Sequence, residues 1–462
     1  MSASALPRGP VRAAHVRHLA WPVLVSMLSM SAMNVADTLF VGWLGTAELA
    51  AVGLATTLTW FVFTPSRGLL KGIKILTSQR TGAEDVETSD QLVTQGLWMA
   101  VVMGVLLLML APLGAQLFWA LGASSAVSDH ATSYFAIRVL FAPIVLSAWA
   151  TELWFQGRGD TRTPMVASVI GNVLNIALDP LLIFGLGPVP ALGIAGAAWA
   201  TVISQIVGGA ILLWRAWPTI RRSLAPSWSL IRRSLPLGVP IAAQWTLDFG
   251  GFLVFLSLLA RAGDAHLAAH VLVFRIVQVS MLPGFAIGDA AGVLVGQAVG
   301  ARRSEAARQA WAAGVWQSIV LMGAFGVLFL VAPTWVLAPF DPSADVATLG
   351  ITLLALAALW QVADALVMVN YCALSSAGDT RFTLLLFVGG SWFIQVPLTL
   401  LLVGWLEWGA VGAWWALTIE ITLMAAASQL RIRSRGWLEG RMARESAAEV
   451  DDPVPDGVLA TA

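Results

Sequence analysis

Two aspartates buried in apolar stretches, Asp37 and Asp179, are the residues of this 462-residue chain whose chemistry most needs explaining. An ionised group at the centre of a bilayer costs roughly 2.5–3.5 kcal/mol on insertion scales, so it is usually paired or functional. Asn34 and Asp37 (i, i+3) share a helix face, as do Asn175 and Asp179 (i, i+4). Asp37 lies about 12 Å below Gly45, Asp179 about 9 Å below Gly185, and Thr201 about 12 Å below Gly193, at a helical rise of 1.5 Å per residue. Groups from three different helices therefore share one level. Two carboxylates there, with amide and hydroxyl partners, could bind a proton or a small cation such as sodium. Like charges held close cannot both stay ionised cheaply, which suits a pair that passes a proton. The plainer readings are that Asp179-Pro180 marks a turn and that Asp37 is satisfied by neighbouring backbone or water.

Asp248 and Asp364, at similar depths in the second half, form a second candidate cation site. Arg275 lies at a depth where it could neutralise Asp248, so a structural ion pair is the competing explanation. Arg67, Arg138 and Glu152 also fall within apolar stretches, and Asp289 and Glu420 are expected to pair with neighbours. No zinc-binding His-Glu-x-x-His, nucleophile elbow or phosphate loop occurs, so no enzymatic activity and no cofactor is expected. Without an ATP site, any transport must draw on a proton or sodium gradient.

These groups need a lipid-embedded frame. Hydrophobic residues make up 58% of the chain and charged ones 11%, against about a quarter charged in soluble domains. The expected fold is therefore an all-α polytopic membrane protein. A span needs about 20 apolar residues. Twelve are read, at 19–44, 49–79, 93–118, 129–156, 163–186, 192–216, 235–260, 265–299, 309–337, 345–375, 382–404 and 409–430. With a cytoplasmic N-terminus, all but four of the 26 basic residues fall inside, Lys71 and Lys74 counted at that end. The exceptions are Arg67, Arg138 and Arg275 within spans and Arg261 outside. An odd number of spans would break this asymmetry. Many of the 22 tryptophans, among them Trp21, Trp43, Trp119, Trp214, Trp217, Trp405 and Trp408, sit near span ends as an interfacial belt. No cleavage site follows the first apolar run, so that segment is expected to be retained. The zero net charge gives nucleic acid no basic patch, and the single Cys372 excludes an intramolecular disulfide.

The halves repeat. At an offset of 218, Pro22, Pro65, Gln79 and Gly82 pair with Pro240, Pro283, Gln297 and Gly300. At 219, Gly159-Asp160-Thr161-Arg162 pairs with Gly378-Asp379-Thr380-Arg381. Six spans precede each equivalent point, so the repeats are parallel and related by an axis along the membrane normal. The expected organisation is an N-terminal segment (1–18), a first lobe (19–216), a linker (217–234), a second lobe (235–430) and a tail (431–462), disordered from about 440. Each Gly-Asp-Thr-Arg turn reads as a helix end followed by a cap. Gly284, Gly288, Gly292, Gly296 and Gly300 form a ridge for close helix packing.

The strings Asn34-Val35-Ala36-Asp37-Thr38, Glu48-Leu49-Ala50-Ala51-Val52, Gly159-Asp160-Thr161-Arg162-Thr163-Pro164, Asn175-Ile176-Ala177-Leu178-Asp179-Pro180-Leu181 and Gly193-Ile194-Ala195-Gly196-Ala197-Ala198 occur in this order. Together they resemble the multidrug and toxic compound extrusion (MATE) family, over roughly residues 15–432. The resemblance implies twelve helices in two six-helix lobes and antiport of organic, often cationic compounds against protons or sodium. In the DinF-like branch it implies a coupling site at Asp37, Asn175, Asp179 and Thr201. The NorM-like pattern implies one at Asp248 and Asp364, with Asp248 standing where that branch has Glu. First-lobe proton coupling is the favoured reading, in a monomer of the bacterial inner membrane with both termini cytoplasmic. The alternative within the same superfamily is a lipid-linked oligosaccharide flippase, which lines its cavity with basic residues.

Overall fold

Long apolar runs broken by short polar turns give a chain that is helical nearly throughout. The computed structural model describes residues 4–120, 122–185, 187–434 and 436–438; most of the expected tail lies outside the described residues. The main helices are α1 (Ala13–Gly42), α2 (Thr46–Gly82), α3 (Val86–Leu108), α4 (Ser125–Leu140 and Ala142–Gly157), α5 (Arg162–Phe184), α6 (Ile194–Ile220), α7 (Trp228–Ala260), α8 (Asp264–Gly300), α9 (Ser304–Val331), α10 (Ala344–Ala377), α11 (Thr380–Trp405) and α12 (Gly409–Arg433). Eleven are long and apolar enough to cross a membrane, and α4 makes a twelfth if its two segments count as one span. The protein is a multi-pass membrane protein.

Several helices outrun the spans read from hydropathy. α7 starts at Trp228 rather than 235 and α9 at Ser304 rather than 309, because a helix continues through polar turns where hydropathy has already fallen. α4 bends by 55°. Phe141 leaves helical geometry at φ −98°, ψ 10°, and Pro143 opens the second segment, where its missing N–H breaks no helical bond. α11 contains two wide turns, at 391–395 and 400–405. All seven tryptophans of the expected belt are exposed, Trp405 by 83% and Trp119 by 79%.

Helices α1–α6 pack as one group and α7–α12 as another. The groups meet through α2 against α7, α1 against α8, and α2 against α8. At the repeat offset α1 corresponds to α7 and α2 to α8, so the first two contacts are symmetry mates and the third lies on the pseudo-two-fold axis. There the helices cross too closely for side chains. A Cβ on Gly82 would collide with the Gln297 backbone carbonyl, and one on Gly300 with that of Gln79. The Gln79 amide donates to the Ser376 carbonyl at 2.8 Å, and the Gln297 amide to the Gly157 carbonyl at 3.2 Å. Ser376 and Gly157 are themselves equivalents at 219. Each lobe thus caps a helix of the other.

This crossing lies at the end of the bundle that carries the N-terminal segment and the Arg-rich turns, called here the basic face. Residues 68–82 of α2 are almost all buried, whereas residues 46–64 alternate between buried and exposed. The glycine ridge of α8 serves the same closure. Gly284 and Gly288 abut Met368 of α10, Gly292 abuts Ser376, and Gly296 abuts Ser78 of the first lobe.

The structure adds two details. Lys71 and Lys74, counted at the basic end, lie well inside α2, Lys74 about 12 Å from Gly82. Lys74 is buried and pairs with Asp289 of α8 at 2.6 Å. Trp437 and Leu438, within the segment read as tail, are buried beside Val11, Val16 and Ile432.

The Gly-Asp-Thr-Arg turns form as their residues suggest. Gly159 and Gly378 adopt φ +85° and +92°, the left-handed region that glycine enters without penalty. Asp160 accepts from the Thr163 N–H at 3.0 Å and its hydroxyl at 2.6 Å. Asp379 instead accepts from Arg431 Nε at 2.7 Å, tying α12 to the turn.

Candidate functional site

In the first lobe, α1, α5 and α6 bring four of the five predicted groups together. Asn175 and Asp179 lie one turn apart on the buried face of α5, both fully buried. The Asn175 amide orientation that satisfies both neighbours donates to Asp37 Oδ1 at 2.7 Å and accepts from the Thr201 backbone N–H at 3.2 Å. The Asp37 and Asp179 carboxyl groups lie within hydrogen-bonding reach of each other. Neither oxygen of Asp179 has a hydrogen-bond donor among the described residues. A donor-less carboxylate facing a second one is satisfied by a proton or a cation between them.

Thr201 contributes through its backbone, because its hydroxyl donates to Ala197 O at 2.9 Å. Asn34 stands apart. It is exposed, and its carbonyl accepts from Thr38 of its own helix at 2.7 Å. Arg138, from the first segment of α4, was given no role by the sequence; it acts electrostatically on Asp37 while donating to Gln205 at 2.9 Å. Its position inside a span was legible, but its target was not.

In the second lobe, Asp248 of α7 accepts from the Ser391 hydroxyl at 3.3 Å. Ser391 opens the first wide turn of α11, and such π-type turns gather at functional positions. Glu420 of α12 lies within reach of the same serine and of the Asp248 charge. Arg275 forms no ion pair with Asp248 among the described residues; its side chain is exposed on α8. Asp364 is buried on α10, with Oδ2 lacking a partner and no hydrogen bond to Asp248 among the described residues. Among the described residues the second-lobe contacts join Asp248 to Ser391, with Glu420 in reach of both.

Between the lobes, Lys74 also donates to Gln156 at 3.0 Å, and Gln156 donates to Glu152 at 2.9 Å. This chain links a first-lobe glutamate to second-lobe Asp289. One and two turns further along α2, Lys71 lies over the rings of Trp245 (4.7 Å) and Tyr371 (5.5 Å), and Arg67 over Trp149 (4.9 Å). Cation–π contact of this kind shelters charge away from water.

The MatE family model matches residues 22–181 and again 240–401, one match per lobe. The Probable multidrug resistance protein NorM of Deinococcus radiodurans is 31% identical over 423 residues, covering 88% of this chain and 91% of its own. Its namesake in Thermotoga maritima is 26% identical over 430 residues, covering 91% and 92%. Among solved structures, an outward-facing multidrug resistance MATE family transporter superposes with a TM-score of 0.84 at 24% identity, covering 91% of this chain and 95% of its own. A Pyrococcus furiosus transporter of the MOP superfamily, described by the reverse polarity of its binding pocket, gives 0.85 at 23%, covering 94% and 99%. At these identities the structures speak for the fold alone. Both lobes match the family model and the Deinococcus relative aligns over most of its length, so the chain belongs to the MatE family, the multidrug and toxic compound extrusion transporters.

Proposed function

We propose that this chain exports organic, often cationic compounds by antiport against protons, its two lobes giving access to each side of the membrane in turn. The observation that carries the coupling assignment is the donor-less, fully buried Asp179 facing Asp37. A pair that needs a proton to stay buried binds and releases one as its surroundings open. Sodium is the alternative occupant. The basic face is cytoplasmic in this reading, as the Arg-rich turns favour, and a single chain suffices because both lobes are present. The names of the NorM relatives support the multidrug substrate class.

The test is efflux of a fluorescent organic cation from whole cells or inside-out vesicles, with a proton gradient compared against a sodium gradient. Export driven by the proton gradient alone is expected. Export that follows only sodium would transfer the coupling to that ion, and none under either gradient would overturn the reading. The flippase reading draws on one observation, that Arg67 and Lys71 lie inside α2 without an acidic partner within 4 Å among the described residues. Glu152 and Asp289 on the neighbouring helices offset them, which favours the antiporter.

A further inference from the structure

The segment ahead of α1 is held along a defined path over the basic face. Arg303, at the start of α9, donates from Nη1 to the Pro7 carbonyl at 2.7 Å and from Nη2 to those of Arg8 and Gly9 at 3.1 and 3.0 Å. The Val11 N–H donates to Gln309 Oε1 at 2.8 Å. One guanidinium thus fixes three successive carbonyls, a grip that uses the planar donor fork of arginine. Pro7 and Pro10 limit what the free segment can do and so lower the entropy lost on docking.

The path then crosses lobes. The Ser4 hydroxyl donates to Gln297 Oε1 at 3.2 Å, on the side chain whose amide reaches Gly157 of the first lobe. Ala5 packs directly against Gly159 in the first-lobe turn. Ser4 and Ala5 also wall a cavity of about 420 Å³ together with Trp154, Arg158, Arg215 and Thr219 of the first lobe.

The linker between the lobes makes half of this arrangement. The Ser227 N–H donates to Gln95 Oε1 on α3, the counterpart of α9, and Gln95 and Trp98 donate to the carbonyls of Ala225 and Leu224. Both pre-helix segments therefore dock on the third helix of the other lobe, the N-terminal segment on α9 and the linker on α3. The N-terminal one also runs back to the first-lobe turn at Gly159, beside the Gln79–Gln297 crossing.

We propose that Ser4–Pro10, continuous with α1 of the first lobe and gripped by α9 of the second, is a strap that holds the basic face shut and must release α9 before the lobes can part there. It rests on the reading that the lobes move against each other. Cys372 supplies a native reporter. It is the chain's one thiol, buried on α10 and close enough to Lys71, Lys74 and Asp289 to interact with their charges, so it becomes reachable when the basic face opens.

Membrane vesicles presenting the basic face outward are treated with an impermeant maleimide, with no substrate and no ion gradient, and Cys372 alkylation is followed. Arg303→Gln and Gln309→Ala release the strap at separate points. Each is expected to raise the alkylation rate about 5-fold or more, the lower range of measured conformational couplings, without lowering the thermal midpoint of the purified chain. Unchanged rates in both variants would overturn the strap. So would faster alkylation that tracks a falling midpoint, because that reports unfolding. Alkylation is read without a gradient, so a failure of gradient-driven export leaves this result separately legible.

Discussion

Replacing Asp37 or Asp179 with asparagine keeps the shape of the first-lobe pair and removes its ability to take a proton. Efflux in Asp37→Asn and Asp179→Asn is expected to fall to the level of membranes lacking the protein, with unchanged insertion by immunoblot. Asn175 and Thr201 should separate cleanly. Asn175→Leu removes the donor to Asp37 and leaves a buried acceptor unpaired, at about 1–3 kcal/mol. Thr201→Val keeps the backbone N–H that does the work, so its proton-driven efflux should stay near the parent's. Strong loss in Thr201→Val alone would reassign the contact to the hydroxyl. The four-residue grouping was legible because helical rise converts sequence position into depth. The side of the helix was harder to read, and Asn34, three residues from Asp37, points away. Ser391 escaped notice because a serine in a span carries no signal, and Glu420, read only as pairing with some neighbour, has its partner remote in sequence.

At the scale of helices, the crossing of α2 and α8 tolerates no side chain on either glycine. Gly82→Val and Gly300→Val should each lower stability by about 1–3 kcal/mol, as overpacking does, and by similar amounts because they are symmetry mates. Gly53→Ala, where a Cβ meets open space, should be neutral or gain about 0.5–1 kcal/mol. Thermal melts of the purified protein compare the three. The Lys74–Asp289 pair, with side chains only 8% and 20% exposed, suits a double-mutant cycle. Lys74→Met or Asp289→Leu alone should destabilise by about 3–5 kcal/mol through the charge left behind, and the double variant by far less. Helix number and order were readable from apolar run lengths. The ends of α7 and α9 were not, because hydropathy records where lipid stops rather than where hydrogen bonding stops. The bend in α4 was not read either, since a proline marks a break without giving its angle.

Across the whole molecule, burial rises toward the basic face, where the lobes interlock, and falls toward the opposite end of α1 and α2. Hydrogen exchange should follow it, with amides of 68–82 and 286–299 the slowest to exchange and those of 46–64 faster. Equal protection along α2 would mean the lobes are closed at both ends. The duplication was plain in the sequence, but not which positions the axis would bring face to face. Function has spread unevenly over the repeat: at 218 Asp37 corresponds to Phe255, and at 219 Asp179 corresponds to Leu398. The carboxylate pair belongs to one half only. The Gln79–Gly82 and Gln297–Gly300 crossing has kept both copies. An isologous contact is one that a surface makes with its own twin, so this crossing has the form of a homodimer interface carried within a single polypeptide. A half-length ancestor could have assembled through it as parallel twins. Carried in one chain, its two sides can change separately elsewhere, while a change to either glycine disturbs both halves.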